Sequence, residues 1–374
     1  MRRTLFSILL LMPFVAFGSG ALRVSVPVSG KRLPAHIAEE TAPPKLELLG
    51  VFEIPGTEEF QKTRVGGLSG LVWDESQKIF WAVSDDRGRV NEPRVYGFEF
   101  TPPAKGKEPA WKLAKVVTLK DPKSDPKNKK TVWDFEGIAL LPWGNWLIVS
   151  EGDMNQKPRV NSRVMEFKLS GEFVRDYEVP ADYLATPSGR QKTGPRNNFS
   201  FEGLAGHADG NHWVVASELG LLQDKGEVTR LLEYTQTEAW VLKPGREWFY
   251  PLSPASAGTG APLVIGVSEV LHARDQEWWV MERGAGISVS GLTFRAELFR
   301  VELGTNQELT KTPLLNFGNM GAKFARNFEA LSWGPTLPDG RRLLVVLSDN
   351  NLEKNEPTVF ATFAVDWPKP VETE

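Results

Sequence analysis

The chain is expected to be all-β, a propeller of five four-stranded blades with six as the alternative. Three observations carry this. A four-residue anchor recurs five times at near-constant spacing, as Leu68-Ser69-Gly70-Leu71, Phe135-Glu136-Gly137-Ile138, Phe201-Glu202-Gly203-Leu204, Val267-Ser268-Glu269-Val270 and Phe328-Glu329-Ala330-Leu331. Such fixed-period self-similarity marks a repeat architecture. Each anchor is followed by three more strand-like runs, and four antiparallel strands make a propeller blade. Finally, the fifth repeat stops before its fourth run, while a matching run, Leu46 to Ile54, stands unclaimed before the first anchor. That run would supply the outer strand of the last blade and close the ring, so no long edge is left open.

Within each repeat the elements follow in order. After the anchor comes a turn: Asp74 to Gln77, Trp143-Gly144-Asn145, Asp209-Gly210-Asn211, Arg274-Asp275-Gln276 or Asp339-Gly340. Gly, Asn and Asp between apolar runs are hairpin signals. An apolar run ending in an acid comes next: Phe80 to Asp85, Trp146 to Glu151, Trp213 to Glu218, Trp278 to Glu282 and Leu343 to Asp349. Aromatic and β-branched residues dominate these runs, which favours strand over helix. The third run opens on an arginine with an aromatic four residues on, at Arg94, Arg163, Arg230 and Arg295; the fifth repeat lacks the arginine. Fourth runs are Trp111 to Leu119, Phe173 to Val179, Trp240 to Phe249 and Leu309 to Phe317.

Residues 45–366 therefore form one propeller domain, followed by a short tail at 367–374. Such a length escapes the usual division into domains because stacked blades share one ring-shaped core. Ahead of it, Arg2-Arg3, an apolar stretch from Leu5 to Phe17 and Gly18-Ser19-Gly20-Ala21 read as a secretory signal over residues 1–20. The apolar stretch is too short to span a membrane. Residues 21–44, with four prolines, read as a linker. The charged, Pro-containing stretch Asp121 to Lys130 reads as a solvated loop.

Composition narrows the function. Losing residues 1–20 removes two arginines and no acids, which takes the formal charge from −3 to −5. Such mild acidity gives no reason to expect nucleic acid as a partner. There is no cysteine, which excludes disulfides, thiolate metal sites, a cysteine nucleophile and a lipid-modified N-terminal cysteine. Export without cysteine suits a bacterial periplasm or the medium, with no membrane partner once the signal is cleaved. The mature chain is expected to be a monomer.

The chemistry is expected at one face. First and second strands of a blade run antiparallel, so the start of one lies beside the end of the other. Glu136, Glu202 and Glu329 begin first strands; Asp85, Glu151, Glu218, Glu282 and Asp349 end second strands. Those eight acids and the four repeated arginines should collect around the central channel. Two readings compete. Repeated acids and arginines could form charge-assisted pairs that lock neighbouring blades. Alternatively, the carboxylates converge on a hard cation such as Ca²⁺, which takes six to eight oxygen ligands.

Residues that break the repeat are candidates for contacting a small anionic substrate. Ser69 and Ser268 stand where the other repeats have Glu. Arg87 follows the doubled acid Asp85-Asp86 and precedes Gly88, Arg283 follows Glu282, and Lys323 and Arg326 enter the fifth anchor. Of these, Arg87 is the first choice, expected on an exposed rim where its loss would spare stability. Ordinary rim polarity is the competing reading.

Serine-hydrolase chemistry is disfavoured, since Gly67-Leu68-Ser69-Gly70-Leu71 falls one residue short of the Gly-x-Ser-x-Gly elbow. The histidines are His36 in the linker, His207 and His212 beside the Asp209-Gly210 turn, and His272 near the next such turn. That places them away from the acidic face, where none can serve a nucleophile, and argues against a histidine-rich zinc site.

Taken as a set, these stretches resemble the phytase-like propeller family described as "esterase-like activity of phytase". The match runs through Gly67 to Gly70 with Ser84 to Gly88, Asp134 to Ile138 with Ser150-Glu151-Gly152, Asn198 to Leu204 with Ser217-Glu218, and Asn327 to Leu331 with Ser348 to Asn351. The resemblance spans roughly residues 45–366. It implies an exported bacterial propeller with Ca²⁺-assisted hydrolysis of phosphate or related esters. Two alternatives stay open: a non-catalytic propeller binding a sugar, peptide or protein, and a lactonase-like or sugar-oxidising propeller.

Overall fold

A computed structural model describes residues 22–24, 42–103, 108–120, 133–186, 188–254, 262–288 and 291–368. The expected signal segment, most of the linker and the stretch 121–130 lie outside the described residues. Strands β1 (Leu22–Val24) and β2 (Lys45–Ile54) precede a small hairpin of β3 (Glu59–Phe60) and β4 (Thr63–Arg64). The first blade is β5 (Leu68–Asp74), β6 (Ile79–Ser84), β7 (Arg94–Thr101) and β8 (Ala110–Thr118). The second is β9 (Phe135–Leu140), β10 (Trp146–Ser150), β11 (Arg163–Phe167) and β12 (Phe173–Tyr177). The third is β13 (Phe201–Gly206), β14 (His212–Ser217), β15 (Val228–Glu238) and β16 (Val241–Pro251). The fourth is β17 (Pro262–Arg274), β18 (Glu277–Ser288), β19 (Gly291–Leu303) and β20 (Leu309–Asn316), with β1 added outside β20. The fifth is β21 (Phe328–Thr336), β22 (Arg342–Ser348) and β23 (Thr358–Asp366), and β2 pairs antiparallel with β23 as its outer strand.

Inner strands touch in a cycle: β5 against β9, β9 against β13, β13 against β17, β17 against β21 and β21 against β5. The fold is thus a five-bladed all-β propeller. Five apolar clusters fill the five gaps between blades, one per gap. The aromatic residues of the second strands do much of this packing. Trp81 of the first blade meets Trp146 of the second edge-on at 5.0 Å, and Trp279 of the fourth lies 5.0 Å from Trp333 of the fifth.

The anchors explain how backbones reach the axis. A Cβ added to Gly70 would lie 2.4 Å from the Glu136 carbonyl oxygen, and one on Gly137 would lie 2.6 Å from Leu204 Cβ and 2.7 Å from the Glu202 carbonyl oxygen. Only glycine lets neighbouring inner strands approach at backbone distance there. The described 3₁₀ turns are short, and no helix among the described residues is long and apolar enough to cross a membrane.

Candidate functional site

Every blade has a register irregularity where its first and second strands meet at the anchor, between Leu68 and Gly70, Ile148 and Ser150, Phe201 and Leu204, Val267 and Glu269, and Phe328 and Ala330. Bulges of this kind re-aim a side chain. The anchor residues Ser69, Glu136, Glu202, Ser268 and Glu329 are all buried. Opposite them, one backbone bond recurs in four blades. The acid that follows the second strand donates its N–H to the carbonyl two residues before the anchor: Asp85 to Gly67 at 2.7 Å, Glu151 to Asp134 at 3.0 Å, Glu218 to Ser200 at 2.7 Å and Asp349 to Asn327 at 2.8 Å.

The fourth blade departs from this pattern. Its register pairs Val267 with Glu282 and Gly266 with Arg283, whereas the third blade pairs Phe201 with Ser217, one residue before Glu218. Arg283 therefore occupies the acid's position, and Glu282 stands where other blades have Ser84, Ser150, Ser217 and Ser348. A one-residue offset moves a strand side chain to the opposite face. Glu282 accordingly leaves the expected ring and pairs with buried Lys311 of its own blade, accepting also from the Ser253 N–H at 3.2 Å.

Asp134, missed by the sequence reading, takes its place in the cluster. Of the residues two before each anchor (Gly67, Asp134, Ser200, Gly266 and Asn327) it alone is charged, the signal that could have singled it out. Ligand oxygens of Asp134, Glu136 and Glu151 lie within 4.8 Å of one another, as do those of Glu151, Glu202 and Glu218. Carboxyls crowded this closely in a buried site cannot all stay ionised unless a cation balances them.

Burial raises every carboxyl of this group above its ordinary range, and acidic neighbours add to the rise. Glu136 is pushed well up by burial, then by Glu202, Asp134, Asp85 and Glu151. Glu151 responds to burial, then to Asp134 and Glu218, and Glu202 to burial, then to Glu218 and Glu151. Burial acts first on Asp85 and Asp349 too, with Glu329 beside both and each beside the other. In Asp134, Arg87 opposes the effect of burial; in Glu218 and Glu329, Arg283 does.

Two one-off cations sit among these acids. Arg283 reaches Glu218 at 2.6 Å and Glu329 at 3.1 Å, and donates to Asn327 at 3.1 Å. Arg87 pairs with Asp134, donates to Asn198 and comes within 3.9 Å of Glu151. It is half-buried rather than on an exposed rim, its side chain 22% exposed against 1% for Asp134. Arg87 and Asn198 both hold left-handed backbone, φ 50° and 59°, which side-chain-bearing residues adopt sparingly and which clusters at working sites. Lys323 lies exposed in a 3₁₀ turn, and Arg326 pairs with Glu356 at 2.7 Å, so neither is brought into the cluster. Ser69 donates to Glu329 at 3.1 Å, while Ser268 donates to the Phe328 carbonyl at 3.2 Å.

Among the described residues, the partners shown for the four repeated arginines are not the axial acids. Arg94 pairs with Asp86, Arg163 with Asp176, Arg230 with Asp224 and Arg295 with Glu297, each within its own blade. Among the described residues, Arg87 and Arg283 are paired with the axial carboxyls.

Fold and site define a five-bladed propeller with a buried acidic centre. The chain belongs to the phytase-like family described as "Esterase-like activity of phytase", whose model matches residues 63–352. No curated protein matches it. Among solved structures, it is similar to the periplasmic gluconolactonase PpgL of Pseudomonas aeruginosa, at 13% identity over 81% of this chain and 89% of that chain, with a TM-score of 0.37. A thermostable family-43 glycoside hydrolase aligns at 9% identity over 83% and 96% of the respective chains, with a TM-score of 0.44.

Proposed function

We propose that the protein is an exported, Ca²⁺-assisted hydrolase of phosphate or related esters, working at the axial acid cluster on a small anionic substrate. One observation carries this reading. Eight carboxyls (Asp85, Asp134, Glu136, Glu151, Glu202, Glu218, Glu329 and Asp349) share the axis with two guanidinium groups. Buried charge is tolerated only when paired or bound to a metal. The surplus must therefore be held as neutral acid or balanced by a cation. The donor set suits a hard cation, being all oxygen, and Asp349 Oδ1 is buried without a hydrogen-bond partner.

Asp134, Glu136 and Glu151 would hold the ion, or Glu151, Glu202 and Glu218. Bound there, Ca²⁺ would offset the acids' charge, polarise a phosphoryl oxygen and lower the pKa of a water. Arg87 and Arg283 orient the anion, since a guanidinium matches two phosphate oxygens at once. Carboxyls whose proton affinity is raised can take a proton from an attacking water. Family membership supports a hydrolase, and the basic head and apolar body of residues 1–20 support export.

The test is hydrolysis of phytate and of simple phosphate monoesters by chelated protein, before and after Ca²⁺ is restored. Turnover that returns with Ca²⁺ is expected. Stabilisation by Ca²⁺ with no turnover of any ester would replace this reading with that of a binding propeller.

A further inference from the structure

We propose that His207, Asp209 and His212, at the turn between β13 and β14, bind a borderline divalent cation of the Zn²⁺ class, separately from the oxygen-only axial cluster. The sequence placed these histidines beside a turn, away from the acidic face, and argued against a histidine-rich zinc site. Strand pairing joins them. The His207 N–H donates to the His212 carbonyl at 2.8 Å, and the Gly210 N–H to the His207 carbonyl at 3.1 Å. The two histidines therefore face each other across the hairpin, with Asp209 in the turn between them.

Asp209 reaches back to both rings. Its Oδ1 lies 3.1 Å from His207 Nδ1 and its Oδ2 2.7 Å from His212 Nδ1, and one ligand atom from each residue falls within 4.8 Å of the others. Bonds of about 2.0–2.2 Å to imidazole nitrogen and carboxylate oxygen separate neighbouring donors by about 3.3–3.6 Å in a tetrahedral site.

A second observation points to a ligand at His207. Its Nε2 lies 3.2 Å from the Asp275 carbonyl oxygen, which fixes the proton there and turns the Nδ1 lone pair towards Asp209. Metal-binding imidazoles are typically held this way, through the far ring nitrogen. His272 packs its ring 3.9 Å from that of His207 and shares the same carbonyl at 3.0 Å, so the His207 ring is held in place. The Asp209 N–H, 3.1 Å from His207 Nδ1, is the contact a cation would displace.

Imidazole with carboxylate suits Zn²⁺, Cu²⁺ or Ni²⁺, whereas Ca²⁺ prefers oxygen alone. The three side chains are 27%, 36% and 33% exposed in chain order, so further coordination positions open to solvent. Three protein ligands with an open position characterise zinc sites that take an exogenous ligand.

The experiment is a calorimetric Zn²⁺ titration of the metal-stripped full chain in saturating Ca²⁺, which keeps the axial carboxylates occupied. One Zn²⁺ per chain is expected. His212→Ala and the near-isosteric Asp209→Asn should each weaken it by about 10-fold or more, the scale seen when a ligand set is disturbed. Glu136→Gln should leave it unchanged. No uptake in Ca²⁺, or uptake that His212→Ala and Asp209→Asn leave intact, would overturn the assignment.

Discussion

Replacing Glu136 by Gln should change stability in opposite directions with and without Ca²⁺. Glu136 is buried, and burial together with Glu202, Asp134, Asp85 and Glu151 raises its folded pKa well above its ordinary range. Its protonated form thus supports folding fully below the unfolded pKa, and that support is lost as pH rises through the folded pKa. Each extra proton held by the folded chain costs about 1.4 kcal/mol per pH unit across that window. Gln resembles the protonated acid at every pH. In chelator the variant should therefore gain on the parent by about 1.4 kcal/mol per pH unit above the ordinary carboxylate range, until the parent's carboxyl ionises. At about pH 5, where that gain is small, saturating Ca²⁺ reverses the order. One site filled at 100 times its Kd stabilises by about 2.7 kcal/mol, and a variant with one carboxylate fewer receives less. Urea denaturation at about pH 5 and about pH 7.5, each with chelator and with Ca²⁺, gives the four numbers needed. A Glu136→Gln protein that is less stable than the parent by the same amount in all four would refute the reasoning. It would make Glu136 a blade-locking hydrogen-bonding group.

Other expectations follow from the same geometry. Arg87→Ala should lower phosphate-ester turnover by about 10-fold or more, the scale of one charge-assisted contact. Contrary to the rim expectation, it should also destabilise the chelated protein by about 3–5 kcal/mol, because buried Asp134 loses its partner, and Ca²⁺ should restore part of that; an unchanged melt would show that the pair contributes nothing. Gly137→Ala should destabilise by about 1–3 kcal/mol, since its Cβ would sit 2.6 Å from Leu204 Cβ, and a wild-type denaturation midpoint would contradict the close approach. Deleting residues 45–56 should abolish cooperative unfolding by stripping the outer strand from β23, whereas deleting 25–40 should leave it nearly intact; a parent-like melt for the first deletion would remove β2 from any part in holding the ring.

Much of the fold was legible because a propeller writes its pattern repeatedly. Anchor, turn, apolar run and arginine recur, and each recurrence checks the others. The axial site was legible for the same reason where blades obey the repeat: Asp85, Glu151, Glu218 and Asp349 all share one backbone bond. It failed where a single residue of register matters. Glu282 looked like the fourth blade's acid because it ends an apolar run, yet the pairing of Val267 with Glu282 turns it outward and brings Arg283 to the axis. Strand register sets the facing of a side chain, and an apolar run alone does not reveal register. Asp134 was overlooked because it lies ahead of its strand, aimed inward by Arg87, a partner 47 residues away in sequence. The repeated arginines were expected among the ring acids, but each had a nearer partner, as Arg94 has in Asp86 and Arg230 in Asp224. The convergence of His207 and His212 on Asp209 depended on which residues pair across one hairpin, again a matter of register.

If the buried acid surplus on the axis holds a hard cation for hydrolysis, as we propose, phosphate release must depend on free Ca²⁺. The most direct test is the rate of phosphate release from an ester as a function of free Ca²⁺, starting from chelated protein. No turnover is expected in chelator, then a saturable rise with Ca²⁺, and a rise shifted to higher Ca²⁺ in Glu136→Gln. Turnover that is independent of Ca²⁺, or a Ca²⁺ dependence that Glu136→Gln leaves unmoved, would contradict the proposal.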